Sequence, residues 1–79
     1  MTAPPDRTLM WEAKAAPGRA DELLAWLLAA APAGQVFAAG DRVVLVVDLA
    51  ESTGPAGPAD PPAELLARPV HAWRFTRVR

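Results

Sequence analysis

The chain has no cysteine. Disulfide frameworks, thiolate nucleophiles and zinc knuckles are therefore excluded together. Asparagine and tyrosine are also missing, and His71 is the single histidine. A zinc site would then have to be assembled from carboxylates on distant elements, and we set it aside. Charge of one sign is not in excess, with Lys+Arg 8 against Asp+Glu 9. Without a net field to gather polyanions or anionic lipid, neither nucleic acid nor a membrane surface is an expected partner. Long apolar runs are lacking as well. The longest apolar helix candidate is too short for a bilayer and carries Asp21 and Glu22 in its first turn. The opening "MTAPPDRT" has no basic region followed by an apolar one, so it does not read as a secretory signal. The expectation is a soluble, cytoplasmic protein.

What is present is a regular alternation of patterns. At 79 residues the chain is one domain, residues 1–79, near the size at which a single core barely suffices and self-association is a common remedy. Residues 1–7 read as a flexible N-terminus. Residues 8–16 alternate, with Leu9, Trp11, Ala13 and Ala15 on one face and Met10, Glu12 and Lys14 on the other, which predicts a strand. Pro17-Gly18 stops it. From 19 to 31, Ala20, Leu23, Leu24, Leu27, Leu28 and Ala31 recur at helical spacing, Asp21 and Glu22 favour the positive end of the helix dipole, and Pro32 with Gly34 ends the run. Residues 35–39 and the valine-rich "RVVLVVDLA" at 42–50 flank Gly40-Asp41, a hairpin signal. Residues 51–60 form a proline- and glycine-rich loop, "PAELLA" has the length of about two helical turns, and "VHAWRFTRV" at 70–78 alternates as a last strand.

The order is β-α-β-β-α-β, an α+β, ferredoxin-like sandwich with a four-stranded antiparallel sheet. In this topology the first and third strands are central and both helices cover one face. If that face carries Leu9 and Trp11, the bulk of His71, Trp73 and Phe75 places them in the same core. Met10, Glu12, Lys14, Val70, Ala72, Arg74 and Thr76 then line the open face. The third strand adds Val44, Val46 and Asp48 in one register, or Val43, Leu45 and Val47 in the other. Either register leaves branched aliphatic side chains uncovered, although an antiparallel sheet with a solvated face carries polar residues there. The simplest cover is a second copy, with Met10, Val44 and Val46 at a homodimer interface.

A strand ending in Pro-Gly, the charged helix start "APGRADELL", the valine-rich third strand and the closing aromatic strand resemble the dimeric α+β barrel proteins, in particular the antibiotic biosynthesis monooxygenase group. The resemblance spans residues 9–78 as a pattern of elements rather than a catalytic signature. It implies two sheets packed face to face and a cavity between sheet and helices for an aromatic or polyketide-like small molecule, or for haem in haem-degrading members. Trp11, Trp73, His71, Glu12 and Arg74 are the ligand-binding candidates under it. Oxygenases of the group commonly use asparagine, tryptophan and histidine or arginine, and the missing asparagine makes a degenerate, ligand-binding relative the expectation.

Each candidate has a plain alternative. His71 is either a structural residue near a strand end or the one imidazole able to ligate iron. Trp11 and Trp73 are core or cavity wall. Glu12, Lys14 and Arg74 are register-fixing ion pairs or anchors for a carboxylate or phenolate. Trp26 falls off the apolar helix stripe, near Arg19 and Glu22, as a contact residue or an ordinary half-exposed one. The RNA recognition motif shares the element order but stacks bases on aromatics of its first and third strands, and "RVVLVVDLA" has none. A regulatory or assembly module that dimerises through its sheet face is the second functional expectation.

Overall fold

A computed structural model describes residues 7–31, 33–48, 58–76 and 78–79. The expected flexible N-terminus up to residue 6 and most of the expected loop, residues 51–57, lie outside them. Arg7 already belongs to the first strand. The elements are β1 (Arg7–Lys14), α1 (Ala20–Ala30), β2 (Gln35–Ala39), β3 (Arg42–Asp48), a 3-10 turn (Ala63–Leu65) and β4 (His71–Thr76). All neighbouring strands are antiparallel in the order β2-β3-β1-β4, so the first and third strands are central. Among the described residues no helix is long and apolar enough to cross a membrane.

The second helix of the expected βαββαβ order is not formed. A single 3-10 turn stands in its place, and the architecture is βαββ, turn, β. Its residues sit between Pro61-Pro62 and Pro69. Proline ends a helix at the residue before it, and so short a segment cannot offset the cost of helix nucleation. Strand-like pairing with the end of β1 is available instead. The Ala16 amide donates to the Leu65 carbonyl at 2.8 Å, the Ala67 amide donates to the Lys14 carbonyl at 2.9 Å, and Ala15 bridges Leu66.

The core lies between the sheet and α1, built from Leu9, Trp11, Ala13, Ala15, Leu23, Leu27, Val43, Leu45 and Leu65. Only Leu23 and Leu27 of the helical stripe are buried, and Leu28 is 57 % exposed. With one helix lying over β3 and the 3-10 turn, the covered strip is narrower than two helices would make it. Trp26 is half-buried and stacks on Trp11, ring centroids 6.2 Å apart, so it packs against the edge of the core.

The register settles the faces and overturns part of the expectation. Leu9 pairs with Val47, Trp11 with Leu45 and Ala13 with Val43, so the helix-covered face takes the second of the two third-strand sets. On the other side of β1, Met10 pairs with Trp73, Glu12 with His71 and Thr8 with Phe75. Side chains directly opposite each other share a face. His71, Trp73 and Phe75 therefore stand on the open face, whereas Ala72, Arg74 and Thr76 stand on the helix side, the reverse of the placement drawn from bulk. Val70 packs against the core. Bulk misleads here because β4 lies beyond the reach of α1, and all six of its residues are exposed.

Three glycines with positive φ test the backbone. Gly40 (φ +60°) occupies the first position of the two-residue β2–β3 link, where a positive φ matches the twist of a tight hairpin. Gly34 has φ +102°, and a Cβ there would lie 2.9 Å from the Val46 carbonyl oxygen. Gly34→Ala is expected to cost at least about 2 kcal/mol in chemical denaturation, combining positive-φ strain with a backbone clash. Gly18→Ala, with φ +74° but open space around it, should cost about 1 kcal/mol. Equal costs at the two sites would contradict this packing.

Candidate functional site

The pleat turns the open face into a grid of side chains. Nearest the hairpin turn run Ala39, Arg42 and Lys14; next come Phe37, Val44, Glu12 and His71; then Gln35, Val46, Met10 and Trp73; then Asp48, Thr8 and Phe75. The lower rows are largely apolar and open. Phe37 is 53 %, Phe75 50 %, Trp73 47 % and Met10 37 % exposed. Val44 and Val46, the expected interface residues, lie among them and are half-buried by their neighbours. His71 meets Trp73 edge to face with centroids 5.6 Å apart.

The upper end is charged. Glu12 Oε1 accepts from Arg68 Nη2 at 2.6 Å, and its Oε2 lies 3.6 Å from Arg42 Nη1. Lys14 Nζ stands 3.9 Å from an Asp41 carboxylate oxygen. The Arg68 hydrogen bond, reinforced by the charges of Arg68, Arg42 and His71, holds the Glu12 carboxyl below its ordinary value against the opposing effect of burial.

Arg68 reaches this place through an irregularity. Between the Ala15–Leu66 bridge and the Glu12–His71 pair, β1 spends two residues and the facing chain spends four. The extra pair makes a bulge, a device that bends a strand and re-aims a side chain. No periodic pattern announces it. Arg68 and Arg42 thus take the role expected of Arg74, which points to the opposite side of the sheet.

The five ligand-binding candidates do not converge on one site. Glu12, His71 and Trp73 share the open face, Arg74 stands on the helix side, and Trp11 is buried at 3 % exposure beneath Trp26. The space between sheet and helix that the family resemblance reserves for a ligand is filled by Trp11, Leu23, Leu27 and Leu45. Haem does not fit there, and His71 faces away from it. Among the described residues no group of three or more His, Cys, Asp and Glu side chains could hold a metal. A shallow groove of about 500 Å³ runs beside the β1–α1 turn, lined by Lys14, Pro17, Gly18, Ala20, Gly40 and Asp41. Its lining brings no set of reactive groups together.

No protein-family model, curated protein or solved structure matches the chain.

A depressed glutamate contributes stability above the ordinary carboxylate range, and that contribution is lost as pH falls through the folded-state value. Glu12→Gln should therefore lower stability at pH 7 by about 1.5–3 kcal/mol, the range for a hydrogen bond to a charged group. The gap from wild type should close as the pH is lowered below about 4, near the ordinary glutamate value. A gap that persists unchanged at low pH would show that the charge of Glu12 is not what stabilises this end of the sheet.

Proposed function

We propose that the chain is a small self-associating domain, two copies packing through their open sheet faces in the manner of the dimeric α+β barrel proteins it resembles. One observation carries this reading: the open face holds Phe37, Val44, Val46, Met10, Trp73 and Phe75, and no described element of the chain covers it. Its three aromatics, each with roughly 150–250 Å² to bury and about half exposed, leave on the order of 300 Å² of apolar surface before the valines and Met10 are added. A patch of that extent rimmed by charge is the mark of an interaction surface.

A second copy is the occupant the chain itself argues for. Among the described residues α1 alone covers the core, which is small, so burying this face would supply apolar contact that the monomer lacks. A two-fold interface uses the same patch twice, and an apolar sheet face satisfies that requirement without a dedicated partner. The role is that of a regulatory or assembly module. Glu12 is neutralised by two arginines rather than aimed at an open reaction position, and His71 has an aromatic neighbour rather than a nucleophile.

Light scattering at micromolar concentration should give a mass near twice 8.4 kDa. Trp73→Lys, at a position exposed in the single chain, should weaken association at least tenfold with the circular dichroism unchanged. Leu28→Lys, on the outer side of α1, should leave the mass as it is. A folded wild-type monomer, or a dimer lost through Leu28→Lys alone, would overturn the proposal.

A further inference from the structure

We propose that the charged end of the open face binds the carboxylate of a small aromatic acid, with Arg42 as the anion-binding residue. This goes beyond self-association and rests on that reading only in that a second copy would enclose the bound molecule.

The first observation is a charge imbalance. One carboxylate, Glu12, stands between two guanidinium groups, while Lys14 is matched by Asp41. The cluster carries one cation more than it neutralises. The second is the unequal use of the two arginines. Arg68 is committed to Glu12 at 2.6 Å and is 28 % exposed, whereas Arg42 approaches at 3.6 Å, beyond hydrogen-bond distance, with 56 % of its side chain exposed. Arg42 thus keeps its planar fork of donors for a second carboxylate, the geometry in which arginine excels.

The third observation is what lies beside that fork. Along β3 the next side chain on the same face is Val44, about 7 Å on, the span of an aromatic ring. Phe37 flanks Val44 on one side and Glu12 on the other, and in the next row Val46, Met10 and Trp73 lie side by side. A flat apolar body anchored at Arg42 would rest on this floor. Glu12 repels an anion placed directly over it, so the acid group is directed to the Arg42 side of the cluster. The excess positive charge at the end of an apolar platform selects an amphiphile with an anionic head. A neutral aromatic gains only the platform.

The test is calorimetric titration of the full chain with 2-naphthoate and with its neutral counterpart 2-naphthamide. Saturable binding of the acid, at least tenfold tighter than the amide, is expected. Arg42→Gln should remove that preference, Arg42→Lys should retain part of it because charge remains without the fork, and Arg74→Gln, on the opposite side of the sheet, should leave it intact. Absence of saturable binding, equal affinity for acid and amide, or a preference that survives Arg42→Gln would overturn the proposal. So would its loss in Arg74→Gln. Light scattering on the same samples separates this claim from self-association: a monomer that prefers the acid keeps the carboxylate site and removes the dimer, and a dimer without preference does the reverse.

Discussion

The pairing register of β1 decides almost everything else in the molecule. This strand lies between β3 and β4, so its alternation is imposed on both neighbours at once. A slip of one residue would exchange the two faces of the sheet. Leu9, Trp11 and Ala13 draw Val47, Leu45 and Val43 beneath α1, and Met10 and Glu12 draw Val46, Val44, Trp73 and His71 to the other side. Burial of the first set under Leu23 and Leu27 holds the register, because the alternative would bring Glu12 under the helix. The open face is in this sense a by-product of the core.

The shortened second helical segment has two consequences, one for coverage and one for charge. With a 3-10 turn in place of a helix, both faces of β4 remain uncovered. The chain from Leu65 to Ala67 meanwhile pairs with the end of β1, and the bulge that follows swings Arg68 onto Glu12. The prolines that bound this short segment and the ion pair that tops the open face are thus linked through one stretch of backbone. Glu12, 17 % exposed on a largely apolar surface, would be a costly isolated charge, and Arg68 removes that cost.

The strands and α1 were legible because their signals are local. Alternation marked β1 and β4, valine content marked β3, Gly40-Asp41 marked the hairpin, and the spacing of Leu23 and Leu27 marked the helix. What failed were inferences requiring a neighbour. "PAELLA" has helical composition, and its fate depended on flanking prolines and on free backbone groups at the end of β1. Trp73 and Phe75 have the bulk of core residues, yet β4 is an edge strand beyond the helix, so bulk did not report burial. Arg74 was expected in the charged cluster by parity, and the bulge gave that role to Arg68. Phe37 was within reach of the sequence, since alternation in "QVFAA" sets it opposite Val36, but a five-residue strand has too short a pattern to reveal its outward face.

The central claim is that the face carrying Val44, Val46, Met10 and Trp73 is where a second copy is met. The most direct measurement is an isotope-filtered NOE experiment on a mixture of labelled and unlabelled chains, which records only contacts between copies. The account predicts intermolecular contacts from the Val44, Val46 and Met10 methyl groups to aromatic protons of Trp73, Phe75 or Phe37. Intermolecular contacts confined to Leu28 and its neighbours on α1, or none at concentrations where the protein is folded, would contradict it.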